Sequence, residues 1–123
     1  MHITRFQQAP TYEAPNHFDM TCLRLQGHEA GPAVQLWMGV SVIEPGGHTT
    51  LAPSPMEKMY VVLEGELELT GQLPNDEPRT ETLRTWDSCR FAPGEARQIR
   101  NAGSQIARIL LAMPFTPPTP AAT

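Results

Sequence analysis

Short apolar runs, punctuated by proline and glycine, set the pattern of this chain. HFDMTCLRLQ (17–26) reads as a first strand. AVQLWMGVSVIEP (33–45) reads as a longer one, closed by a Pro45-Gly46-Gly47 turn. KMYVVLEG (58–65) is a nearly continuous apolar strand. Gly65 then marks a tight reversal into ELELTGQL (66–73), where Leu67 and Leu69 alternate with Glu66 and Glu68. That alternation predicts one wet face and one buried face. PNDEPRTE (74–81) is a polar loop at a hairpin tip, and TLRTWDSCRFAP (82–93) gives two short strands around Thr85-Trp86-Asp87. ARQIRN (96–101) and SQIARILLAMP (104–114) complete the set. No long segment carries the 3.6-residue period of an amphipathic helix. About eight short strands without helices predict a sandwich or a jelly-roll barrel.

The domain limits follow from this pattern. Residues 1–33 supply N-terminal strand that covers the barrel or a dimer edge, 34–114 form the barrel core, and 115–123 are a proline-rich, mobile or surface-laid tail. Edge strands need covering, so a homodimer is the expected state.

Composition narrows the class. With 123 residues and 40% hydrophobic content, the chain is one globular domain. A net charge of −4 argues against nucleic acid or an anionic membrane as partner. No apolar run is long enough to span a bilayer, and the N-terminus lacks a signal pattern, so a cytoplasmic location is expected. Cys22 and Cys89 lie in different segments and outside any CxxC motif. They read as two reduced, buried thiols, with a single disulfide as the alternative.

Three segments taken together, PGGH (45–48), YVVLEGELEL (60–69) and WDSCRFAPGEARQIRN (86–101), resemble the two motifs of the small single-domain cupins. The resemblance covers roughly residues 34–113. It implies an all-β jelly-roll barrel of the RmlC-like kind with a pocket inside. It also implies two histidines spaced HxH, a glutamate and a further histidine that together hold one divalent metal such as Fe, Mn, Ni or Zn. Here those positions fall on Ala52, Ser54, Lys58 and Arg97, so all four ligand positions are changed. Glu57 is one place off and should point to the face opposite Lys58 and Tyr60. A shifted register that joins His48 to Glu57, helped by His17 or His28, is the alternative metal site. His2, His17 and His28 show no paired ligand spacing. Trp86 replaces the glycine usual in that turn; a non-glycine residue is strained at a positive φ, so a hairpin built differently is expected.

Lys58 and Arg97 should project into one cavity from facing strands. Two buried cations repel each other and lose hydration, so the pair makes sense with an anion between them. Arg offers a planar fork for a carboxylate or phosphate, and Lys a mobile point charge. The alternatives are internal pairing with Asp87 or Glu95, or stems that pack while the charged heads reach water. Tyr60 shares the face of Lys58 and is a candidate general acid, or a core tyrosine. Ser54, Trp37 and Phe91 are candidate substrate contacts. Trp37, Met38, Phe91 and Met113 also read as packing.

The leading expectation is a metal-free barrel that binds a small anionic carboxylate or carbonyl metabolite, without a cofactor. Its catalytic set would be Lys58, Arg97 and Tyr60, and its chemistry isomerisation, decarboxylation, cyclisation or lyase chemistry. In one variant Lys58 forms a Schiff base. The alternatives are a non-catalytic binding module, a filled structural remnant, or a metal-dependent oxygenase or isomerase through His48 and Glu57.

Overall fold

A computed structural model describes residues 1–118. Residues 119–123, part of the segment expected to be a tail, lie outside the described residues. The strands are β1 (Thr11–Tyr12), β2 (His17–Gln26), β3 (Leu36–Thr49), β4 (Ala52–Pro53), β5 (Lys58–Glu64), β6 (Glu66–Gln72), β7 (Arg79–Arg84), β8 (Ser88–Phe91), β9 (Ala96–Arg100) and β10 (Ala107–Pro114). Single 3-10 turns at Phe6–Gln8 and His28–Ala30 are the helical elements among the described residues. The strands hydrogen-bond in the order β7-β6-β9-β3-β10-β5-β8. β2 lies on β3, β1 on β2 and β4 on β9. The sheet curls into a nearly closed barrel, the all-β jelly-roll architecture expected from the sequence.

β3 does not stop at Pro45. It pairs with β10 from Leu36↔Pro114 to Ala107↔Ile43, then with β9 at His48↔Arg100. Pro45-Gly46-Gly47 is the corner where the strand changes partner. Proline lacks an N–H, so it fits where no ladder bond is due. Gly47 admits no side chain, because a Cβ there would stand 2.4 Å from the Asp19 carbonyl oxygen. Gly65 (φ 77) also turns a corner rather than closing a hairpin, since β5 and β6 are not paired and the chain crosses to the opposite wall.

Strand alternation fills the interior. Ile43, Val62, Leu67, Leu69, Ile99, Ala107 and Ile109 form one buried cluster, joined by Tyr60 and Phe91. Full burial of each large aliphatic side chain stabilises by about 1.5–3 kcal/mol. Asn101, 1% exposed, is fully satisfied: its Nδ2 donates to the Ile43 and Gln105 carbonyls, and its Oδ1 accepts from Gly103 N. Thr49 Oγ1 accepts from Ile99 N at 3.0 Å, which pins β3 to β9.

The turn before β8 keeps the usual shape despite its tryptophan. Asp87 N donates to Arg84 O at 2.8 Å, and Asp87 Oδ2 accepts from Arg84 N at 2.9 Å. Trp86 takes φ 73 with its indole exposed. The expectation of a differently built hairpin is therefore replaced by a left-handed tryptophan at the third turn position.

Candidate functional site

The inward-facing row of β5 runs Val62, Tyr60, Lys58, and that of β9 runs Ile99, Arg97. Past Tyr60 and Ile99 the core gives way to a cavity of about 330 Å³. Lys58, Tyr60 and Arg97 form its polar floor. Trp37 from β3 and Leu111 and Met113 from β10 form an apolar wall, and Thr49, Ala52 and Ser54 complete one side. The segment Tyr12–His17 closes the other side through Tyr12, Ala14, Pro15, Asn16 and His17.

Lys58 is 8% exposed, and Arg97 Nε is buried without a hydrogen-bond partner among the described residues. Neither forms an ion pair among those residues. Asp87 and Glu95, the partners weighed from sequence, are engaged elsewhere: Asp87 in its turn, Glu95 accepting from Ala92 N at 2.9 Å. Burial, and then the Arg97 charge, lower the Lys58 pKa to about 8. Burial pushes the Tyr60 hydroxyl up to about 12, with Arg97 acting in the opposite direction, so Tyr60 keeps its proton at neutral pH. Burial also raises the Tyr12 hydroxyl.

Ser54 accepts from Met56 N at 3.1 Å through its hydroxyl oxygen, which leaves the O–H free to donate. Ala52 lies directly across from Arg97 in the β4–β9 register. The aromatic wall is braced from behind. The Arg24 guanidinium sits 3.5 Å from the Tyr12 ring centroid and 4.4 Å from that of Trp37, and its Nε bonds Glu29 at 3.2 Å.

Lys58, Arg97, Tyr60, Ser54 and Trp37 thus meet at one cavity. Phe91 does not: it lies in the core with its ring edge-on to Tyr60, centroids 5.8 Å apart. Lys58↔Phe91 are cross-strand partners, but at Phe91 the interior is already filled. His48 and Glu57 are not brought together either. His48 Nδ1 bonds the Gly46 carbonyl at 3.1 Å while its ring stacks on Phe18. Glu57 points outside the barrel, 2.5 Å from Arg90 Nε. Both cysteines are free thiols; Cys22 is buried and Cys89 half-buried. Burial, and then Glu95, push the Cys89 thiol up to about 11.

His17, which the sequence offered only as a helper of the alternative metal site, lines the cavity. Strict alternation puts it on the face opposite Cys22. Asp19 takes φ 52 opposite the Glu44–Gly47 stretch of β3, which carries the extra residues of the register shift, and the alternation of β2 breaks there. His17 thereby joins the cavity wall. Burial lowers its pKa, the Pro15 carbonyl acts in the opposite direction, and Arg97 and Lys58 lower it further.

The donor set does not fit a divalent metal. The four positions that the resemblance gives to ligands carry a methyl, a hydroxyl and two cations. Among the described residues no group of three His, Cys, Asp or Glu side chains converges elsewhere.

The comparisons with known proteins agree on the fold. The beta-D-galactosidase Rv1717 of Mycobacterium tuberculosis is 43% identical over 112 residues, spanning 90% of this chain and 91% of that protein. The polyketide cyclase RemF from Streptomyces resistomycificus superposes with a TM-score of 0.80 at 22% identity, over 97% of this chain and 82% of its own. An RmlC-like cupin from Shewanella frigidimarina does so with a TM-score of 0.73 at 11% identity, over 93% and 90%. The Cupin domain model matches residues 39–113, and the chain belongs to the cupin family.

Proposed function

We propose that the cavity binds a small anionic metabolite, a carboxylate beside a carbonyl, and processes it without a metal. Lys58 and Arg97 hold the anion, Tyr60 donates a hydrogen bond, and Trp37, Leu111 and Met113 receive the apolar part. The observation that supports this most is the pair of cations on the cavity floor, which form no ion pair among the described residues, with Arg97 Nε buried and unsatisfied. An anion there offsets both charges and gives the guanidinium the partner it lacks. The same pair would stabilise negative charge that develops on an enolate or oxyanion.

Isothermal titration with inorganic phosphate and with phenylpyruvate tests the reading. Both should bind the wild type, and Arg97→Gln or Lys58→Met should weaken binding about tenfold or more, as loss of a charge-assisted hydrogen bond does. Failure of both probes to bind the wild type, or equal binding by Arg97→Gln, would count against it.

A second reading comes from the mycobacterial relative, whose name points to a β-D-galactoside as substrate. Glycosidases usually place two carboxyl groups around the scissile bond. No Asp or Glu among the described residues lines this cavity, which favours the first reading. Release of nitrophenol from nitrophenyl β-D-galactopyranoside, lost in Arg97→Gln, would reverse that order.

A further inference from the structure

We propose that His17 is the general base of this cavity, and that its Nε2 removes a proton from the carbon next to the carbonyl of a 2-oxo acid carrying an aryl group. The inference rests on the anion reading above and extends it to a substrate class and a catalytic residue.

Hydrogen bonding selects the atom. His17 Nδ1 lies 2.7 Å from the Pro15 carbonyl oxygen. A carbonyl only accepts, so Nδ1 carries the hydrogen and the neutral ring keeps its lone pair on Nε2. The other groups around the cavity are poorer proton acceptors. The guanidinium of Arg97 has no lone pair to offer, Tyr12 and Tyr60 hold their protons, and Lys58 accepts a proton only after losing one. Glu13 and Cys22 line a neighbouring hollow, which shares Tyr12, Ala14 and His17 with the cavity, rather than the cavity itself. Burial and the two nearby cations disfavour the imidazolium, so His17 is neutral and able to accept at neutral pH.

The step balances without a co-reactant. The carboxylate of the 2-oxo acid lies on Arg97 and Lys58, and the aryl group against Trp37, Leu111 and Met113. The C–H bond breaks, the proton goes to Nε2, and the electron pair moves onto the carbonyl oxygen as an enolate beside Lys58. Proton return to carbon or oxygen completes a tautomerisation. The bound carboxylate also offsets Lys58 and Arg97, so the imidazolium that forms is less opposed when substrate is present than in the empty cavity.

Two measurements test this. In nitrogen-15 NMR of the full chain at pH 7, His17 should be the neutral tautomer with hydrogen on Nδ1. An Nε2–H tautomer or an imidazolium overturns the base role whatever the probe. In heavy water, the wild type should exchange the methylene hydrogens of phenylpyruvate well above the solution rate. His17→Gln should bind phenylpyruvate within about threefold of wild type yet lose exchange by about a hundredfold or more, the share that general base catalysis contributes. Binding by the wild type without accelerated exchange overturns the inference and leaves the anion reading intact. Exchange that survives in His17→Gln assigns the base to another group, Lys58 first, and lost binding in that variant makes His17 a binding residue. Phosphate binding without phenylpyruvate binding overturns the substrate class. Failure of both to bind removes the anion reading itself.

Discussion

The two ends of the barrel are built on the same strands and differ within two residues. Along β10, Ile109 is fully buried and Leu111 borders the cavity. Along β9 the same step runs from Ile99 to Arg97, and along β5 from Val62 through Tyr60 to Lys58. At one end the inward side chains of these three strands are aliphatic, and the interior closes. At the other end charged and aromatic side chains take the same inward positions, and space remains. The packed core and the polar cavity are thus separated along the strand axis. A residue's distance from the Val62–Ile99–Ile109 layer indicates which of the two it serves.

The largest effect expected comes from breaking the closed end. Ile109→Ala leaves a void among Ile43, Val62 and Ala107 and should destabilise by about 3–4 kcal/mol. Leu111→Ala, one inward step away, only enlarges an existing space and should lose less than half as much. Urea titration of both variants checks the contrast. Equal losses would mean that the cavity end is packed as tightly as the core.

Lys58 sharpens the contrast with the opposite sign. Its pKa near 8 in the fold lies below the usual lysine value, so the folded state disfavours the charged form. The unfolded chain binds more protons between those two pKa values, and stability from this group rises as pH climbs from about 8 to about 10.5. Below the folded value the full penalty is present. Lys58→Met should therefore raise stability at pH 7 by about 2 kcal/mol, allowing for relaxation around the charge, with the gain shrinking towards pH 10.5. Thermal melts of both proteins across pH 7–10.5 read the difference, in which other titrations largely cancel. A variant less stable than wild type at pH 7 would mean that Lys58 already has a partner.

The closed end was the more legible of the two. Its strands announce themselves by apolar runs and by the Leu67/Leu69 alternation, and β2 and the starts of β5, β6 and β9 fall where that pattern puts them. The corners were harder. Pro45-Gly46-Gly47 and Gly65 carry turn chemistry, but local sequence does not say whether a turn closes a hairpin or carries a strand to a new partner. At the cavity end, Lys58 and Arg97 were located through the resemblance, as the occupants of two of its ligand positions. His17 was not placed in the cavity, because the alternation of β2 breaks at Asp19, opposite the Pro45-Gly46-Gly47 corner, and nothing within β2 marks the break. The contributions of Tyr12, Pro15 and Asn16 depend on long-range pairing of β1 with β2, which no local pattern encodes.

The smallest effect expected lies at a corner of the closed end. Trp86 N donates to the Val62 carbonyl at 2.7 Å, so this turn seals the backbone over a core residue. Its φ of 73 suits glycine, and a residue with a Cβ is strained there by about 1–2 kcal/mol. The indole is 76% exposed and contributes little burial in return. Trp86→Gly relieves the strain but loosens the unfolded chain, so a net gain of about 0.5–1 kcal/mol is expected, with the Val62 bond retained. Urea unfolding, with hydrogen exchange at the residue 86 amide, measures both. A loss of stability would show that the exposed indole has a partner, and a second copy of this chain against that corner would be the first surface to examine.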